Sequence, residues 1–169
     1  EMGAKTELIQ KHDGVGEPIA DIVVKTSKLK GVTVPASIAP RMIDEYPILA
    51  VAAACASGTT RMFGLQELRV KESDRLAAMA NGLKACGVTV EETSDSLTVH
   101  GTGGQIEGGA RIQTQLDHRI AMSFLTLGLK AKNPISIDNG TTINTSFPGF
   151  VETMKSLGAN LNFSDRGKD

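Results

Sequence analysis

Two stretches of this chain repeat one another, and that repeat constrains the fold more than any other feature. IDEYPILAVAAACASGTTRMFG at 43–64 parallels LDHRIAMSFLTLGLKAKNPISIDNG at 116–140. Each is an Asp, a strongly apolar helical stretch, a turn and a strand. A second helical pattern follows each copy, over 73–86 (Leu76, Met79, Leu83) and over 147–157 (Phe147, Phe150, Met154, Leu157). Each of these ends at a glycine, Gly87 or Gly158, the usual left-handed helix stop, and then alternates as a strand. VTVEETSDSLTVHG closes the first copy as a hairpin, with turn-forming Ser94, Asp95 and Ser96 at its tip.

The order helix, strand, helix, strand predicts an α/β chain built of tandem βαβαββ-type units, one over 43–101 and one over 110–165. Residues 1–42 read as trailing strands of an earlier unit. EMGAKTEL at 1–8 has the same glycine-then-strand tail as ACGVTVEE at 85–92 and SLGANLNF at 156–163, with no helix in front of it. The expectation is a fragment that begins just after a helix. The first helix of each copy lacks a polar face: Ile48, Leu49, Val51 and Ala52 through Cys55 in one, Ile120, Ala121, Met122, Phe124 and Leu125 in the other. A helix apolar all round is enclosed on more than one side, which predicts helices inside sheets instead of the doubly wound order.

Composition narrows the function classes. With 169 residues, 40% of them apolar, the chain is long enough for one core or two small ones. A net charge of −1, one Tyr and no Trp supply neither a field for a polyanion nor rings for stacking bases, so no nucleic-acid partner is expected. Its longest apolar run, 120–129, is interrupted by Ser123, Thr126 and Gly128 and falls short of the roughly 20 residues that cross a bilayer, so no membrane partner is expected. Cys55 and Cys86 lie in apolar helical patterns away from any second Cys or His at ligand spacing, so both read as buried, reduced thiols, and no metal site is expected.

Charged groups concentrate at the helix starts: Asp44 and Glu45 before the first, RVKESDR at 69–75 before the second, Asp117, His118 and Arg119 at the third. Acids there suit the partial positive charge and orphan N–H groups of an N-terminus, so Asp44, Ser73 and Asp117 each also read as N-caps. The arginines oppose the dipole and need another partner. For Arg75 this is either a surface ion pair with Glu72 or Asp74, or an anion. For Arg119, at the mouth of a buried helix, a planar guanidinium suits bidentate capture of phosphate or carboxylate. His118 alone reads equally as a structural hydrogen-bonding residue. GTGGQIEGG at 101–109 lacks a following GK[ST] and reads as a loop.

MIDEYPILAVAAACASGTT, LRVKESDRLAAMANGLKACGV, LDHRIAMSFL and TSFPGF, in that order, resemble the C-terminal portion of the 5-enolpyruvylshikimate-3-phosphate (EPSP) synthase family, in its glyphosate-tolerant bacterial type. The resemblance runs from about residue 1 to 165; RVKE[ST]DR together with DHR is its specific part. It implies an inside-out α/β barrel of the enolpyruvyl transferase type, with helices enclosed by sheets, whose N-terminal domain is absent here. It implies a cytoplasmic transferase that moves the enolpyruvyl group of phosphoenolpyruvate to the 5-hydroxyl of shikimate 3-phosphate, with phosphate released and no cofactor.

By matching motif, Asp44 resembles the acid near that 5-hydroxyl and Lys71 a contact to the sugar acid. Glu72 resembles the acid handling the proton at the methylene carbon, and Arg75 and Arg119 the carboxylate and phosphate clamps. His118 resembles a further active-site neighbour. One position departs from the pattern: many relatives carry Lys two residues before the Phe-Pro at 147–148, where this chain has Thr145. Two other readings compete. In a UDP-N-acetylglucosamine enolpyruvyl transferase a Cys stands near the reaction centre; in a noncatalytic anion-binding or structural domain the helix-start charges are only caps and ion pairs.

Overall fold

The computed structural model of the chain describes residues 1–12 and 19–162. Strand β1 (Lys5–His12) pairs antiparallel with β2 (Ile19–Lys25), followed by the short β3 (Thr33–Val34) and the one-turn helix α1 (Ala39–Met42). Helix α2 (Tyr46–Cys55), β4 (Ser57–Phe63), α3 (Arg75–Ala85), β5 (Thr89–Glu92) and β6 (Ser96–Thr102) follow. After them come β7 (Ile106–Gly108), β8 (Arg111–Ile112), α4 (His118–Gly128), β9 (Ala131–Asn133), β10 (Ser136–Ile137), α5 (Ile143–Ser146) and α6 (Phe150–Ser156).

The repeat is visible in the topology. β3 and β4 are parallel neighbours joined through α2, and β8 and β10 are parallel neighbours joined through α4. Parallel strands need such a crossover, because no tight turn can bring them side by side. The hairpin expected at 88–101 is β5 and β6, with Glu92 opposite Leu97; together with β3 and β4 they form a sheet ordered β3-β4-β6-β5. GTGGQIEGG is not all loop, since Gly101 and Thr102 end β6 and Ile106–Gly108 form β7, paired parallel with β9.

α2 packs on β4 and β6 from one side and on α3 and α4 from the other, while α4 meets β9 and β10. The three long helices thus share one interior, with strands outside them. Met62, Leu76, Leu83, Val99, Ile120, Phe124 and Leu127 are fully enclosed there. Gly82 fixes how closely α3 can approach α4, because a Cβ at that position would stand 2.1 Å from Cζ of Phe124. Ile48 of α2 remains partly exposed, so enclosure of that helix stops short of one edge.

Both expected glycine stops form. After α3, Val88 N–H donates to Leu83 O (3.0 Å) and Gly87 N–H to Lys84 O (3.0 Å); after α6, Ala159 N–H donates to Met154 O (3.0 Å) and Gly158 N–H to Lys155 O (2.9 Å). This paired closure requires a left-handed residue, and Gly87 and Gly158 have φ of 84° and 94°.

The helix expected over 147–157 is instead split into α5 and α6. Pro148 disfavours helical backbone at Phe147, and Gly149 turns left-handed with φ 83°. The strand expected after Gly158 is absent over 159–162, and Phe163 lies outside the described residues. Cys86 is buried as expected, whereas Cys55 is only half-buried on α2; both are free thiols. Among the described residues no helix is long and apolar enough to cross a membrane.

Candidate active site

The starts of α3 and α4 and the segment before α2 meet at one guanidinium. Arg75, the first residue of α3, is 1% exposed and spends all three nitrogens on carboxylates. Nε donates to Asp117 Oδ2 (2.8 Å), Nη1 to Asp44 Oδ1 (2.8 Å) and Nη2 to Glu72 Oε2 (2.5 Å). The surface ion pair considered for Arg75 is therefore replaced by a buried one. Its partner Asp74 is not involved; that residue caps α3 by accepting from Ala77 N–H (2.9 Å), the role sequence reasoning gave to Ser73.

Asp117 is fully buried and serves two ends at once. Oδ1 accepts from the backbone N–H groups of Arg119 (2.9 Å) and Ile120 (3.4 Å), capping α4 as expected, while Oδ2 takes Arg75 and the hydroxyl of Ser73 (3.0 Å). Burial pushes its carboxyl upward, but the hydrogen bond and charge of Arg75, with Ser73 and the Arg119 amide, outweigh it and hold Asp117 below the usual carboxylate range. The same pairing works on Arg75: burial lowers its pKa, and Asp117, Glu72 and Asp44 more than restore it.

The approach to Asp117 is strained. Gln115 and Leu116 both have left-handed backbone, with φ of 54° and 60°. For residues with a Cβ this costs on the order of 1–3 kcal/mol each and persists only where the surroundings enforce it. Asp138 is part of that enforcement: Oδ1 accepts from Thr114 N–H (2.9 Å) and its hydroxyl (2.7 Å), and Asp117 N–H donates to Thr114 O (2.9 Å). Nothing in the composition of the segment TQLDHR signals this conformation.

Above this buried floor lies an open rim. The Asp44 carboxylate, 43% exposed, also faces Lys71 Nζ at 3.6 Å, and Lys71 binds Glu67 at 2.7 Å. The hydrogen bond to Glu67 is the main reason the Lys71 ammonium is held above its ordinary pKa. Arg119 reaches back from α4 through Nη1 to Asp44 O (2.8 Å) and Glu45 Oε1 (3.0 Å). Asp44 is not a cap, since Glu45 occupies the residue before α2 and its side chain makes no capping bond. Half-buried His118 opens α4 next to Asp117. Thr145 is exposed on α5, its hydroxyl donating to Thr142 O (2.7 Å).

Asp44, Lys71, Glu72, Arg75 and Arg119 are therefore one cluster, drawn from three segments. Asp117, Ser73, Glu45 and Glu67 belong to it as well, although sequence reasoning gave the first two only capping roles and left the others unassigned. Three cations here meet five carboxylates. The cluster is open to solvent at Asp44 and Glu72, and two hollows elsewhere in the structure, about 490 and 340 Å³, are lined by none of its residues. Cys86 is no competing nucleophile, because burial raises its thiol to about 11.

Known proteins contain segments similar to this chain. The family profile of EPSP synthase (3-phosphoshikimate 1-carboxyvinyltransferase) matches residues 1–154. The 3-phosphoshikimate 1-carboxyvinyltransferase of Paramagnetospirillum magneticum is 62% identical over 161 residues, which cover 95% of this chain and 36% of that protein. That of Rhodospirillum rubrum is 59% identical over 94% of this chain and 35% of its own. Among solved structures, EPSP synthase from Acinetobacter baumannii superposes with a TM-score of 0.91 at 43% identity, over 96% of this chain and 38% of its own. The enolpyruvyl transferase NikO from Streptomyces tendae, at 22% identity and TM-score 0.66, shares the fold. The chain spans about a third of the length of the curated relatives it matches. With the family profile covering most of its length and a charged cluster built from the motifs that carried the resemblance, this chain belongs to the EPSP synthase family.

Proposed function

We propose that this chain is the C-terminal portion of a cytoplasmic 3-phosphoshikimate 1-carboxyvinyltransferase and carries one wall of its active site. In this reading 43–101 and 110–165 are two repeat units, 1–42 ends an earlier one, and the N-terminal domain is supplied by the rest of the protein. The enzyme transfers the enolpyruvyl group of phosphoenolpyruvate to the 5-hydroxyl of shikimate 3-phosphate through a tetrahedral intermediate, releasing phosphate, without a cofactor.

The observation that carries the proposal is the convergence of Asp44, Lys71, Glu72, Arg75 and Arg119 on one open face. The exposed acids Asp44 and Glu72 are the proton carriers. Asp44 takes the proton of the attacking hydroxyl, and Glu72 handles the proton at the methylene carbon; general acid–base groups of this kind contribute about 10²–10⁴-fold. Lys71 contacts the sugar acid, and Arg119 clamps phosphoenolpyruvate. Arg75 keeps a second N–H on Nη1 and on Nη2, but because its side chain is almost fully enclosed it joins that clamp only where Asp44 or Glu72 gives way to a substrate oxygen. His118 lines the site beside Arg119.

The excess of carboxylates supports an incomplete site. Two anionic substrates are not gathered by three cations already neutralised by five acids, so further cations must come from the opposing wall. The isolated chain is accordingly without turnover, and adding the remainder of the protein restores phosphate release dependent on both substrates. In that complete enzyme, Glu72→Gln lowers kcat about 10²–10⁴-fold with little change in KM. An unchanged kcat removes Glu72 from the chemistry, and robust turnover by the isolated chain removes the two-walled site.

A further inference from the structure

The segment RVKESDR contains two sets of residues with separate partners. Lys71, Glu72, Ser73 and Arg75 bond within the charged cluster. Arg69 and Asp74 bond to each other and away from it. Arg69 Nη1 donates to Asp74 Oδ2 (2.8 Å), which closes a loop across residues 70–73, while Asp74 Oδ1 caps α3. The remaining nitrogens of Arg69 grip the turn between β5 and β6: Nη2 donates to Glu92 Oε1 (2.8 Å) and Thr93 O (2.5 Å), and Nε to Ser94 O (2.7 Å). Leu65 N–H adds a second tie to the same turn through Asp95 O (2.7 Å).

This matters because residues 71–73, which present Lys71 and Glu72, lie in no helix or strand. Their conformation is set by what holds their ends. At the C-terminal end that is the α3 cap; at the N-terminal end it is Arg69 pinned to a rigid antiparallel hairpin, and the Arg69–Asp74 pair joins the two. A guanidinium is the side chain that can meet four acceptors from three directions in one plane; an ammonium offers no such fork.

We propose that Arg69 is a positioning residue: by stapling the start of α3 to the β5–β6 turn it holds Glu72 where the proton transfer requires it, without touching substrate. The inference rests on the transferase reading of the site. Misplacing a catalytic group by about 1 Å can cost about 10²-fold, so in the full-length enzyme Arg69→Met lowers kcat about 10- to 100-fold. KM for phosphoenolpyruvate moves less than about threefold, since Arg119 stands on another element, whereas KM for shikimate 3-phosphate rises to the extent that Lys71, on the same segment, moves as well.

The decisive measurement repeats the substitution in a Glu72→Gln background. If Arg69 acts through Glu72, the loss collapses there to less than about threefold, because the group it positions is already gone. An equal loss in both backgrounds makes Arg69 merely structural and overturns the proposal, as does an unchanged kcat in the single variant. Should Arg69→Met fail to fold, Arg69→Lys and Asp74→Asn are read in the same two backgrounds, with a smaller loss that again vanishes beside Glu72→Gln. Absence of turnover in the unsubstituted full-length enzyme overturns the transferase reading itself, whereas turnover indifferent to Arg69 overturns this inference alone.

Discussion

Arg75 and Arg119 both stand at the start of a long interior helix, yet they do opposite things. Each stands within the first two residues of a helix, just after an aspartate that caps it, Asp74 or Asp117. Arg75 turns inward, is almost fully enclosed and is satisfied by three acids from three segments. Arg119 turns outward, is 32% exposed and rests through one nitrogen on the Asp44 carbonyl and Glu45. The difference originates in the aspartates. Asp117 is buried and lends its second oxygen to the neighbouring helix, whereas Asp74 is on the surface and lends its own to Arg69. One helix start is thus a structural keystone and the other an open rim.

The contrast breaks most readily at Arg75. Arg75→Met leaves Asp117 buried without its cation, and removing one member of a buried pair costs about 3–5 kcal/mol. Thermal or urea unfolding of the full-length enzyme measures it; a loss below about 1 kcal/mol, the scale of an exposed pair, erases the distinction from Arg119.

Asp117→Asn is a milder change, because Asn keeps the cap and Arg75 keeps Asp44 and Glu72; about 1–3 kcal/mol is expected. Its pH dependence is the sharper readout. Since the carboxyl is held below its ordinary range, its charge stabilises the fold above about pH 4, the unfolded value, and that contribution disappears as pH falls through the folded value. The gap between parent and Asp117→Asn therefore stays constant from neutral pH down to about 5 and narrows below about 4. A gap that widens on acidification contradicts the assignment.

Smallest in stability is Arg119→Ala, at about 0–1 kcal/mol. Its effect belongs to binding, where losing hydrogen bonds to a charged ligand is worth about 1.5–3 kcal/mol, or roughly 10- to 100-fold in Kd for phosphoenolpyruvate by calorimetry. A large stability loss with unaltered Kd inverts the comparison.

What the sequence disclosed followed from local chemistry. Hydrophobic periodicity marked α2, α3 and α4, the Ser94–Ser96 cluster marked the hairpin, and Gly87 and Gly158 stopped helices as a left-handed residue does. The split of 147–157 was also readable, since Pro148 and Gly149 together interrupt a helix. Other features had no local trace. Arg75 and Asp117 are 42 residues apart, so neither the burial of that guanidinium nor the double duty of Asp117 could be inferred from spacing. The site residues themselves came from matching motifs; their shared location became visible only when α3 approached α4 across Gly82.

One guanidinium shared among Asp44, Glu72 and Asp117 also limits how this protein can change. Any single replacement within that quartet strands an ion or wastes a donor, so drift there must proceed by matched pairs. Glu72, proposed for proton transfer, is thereby bound to an architectural charge, and a variant that redesigns its reactivity must first find Arg75 another companion.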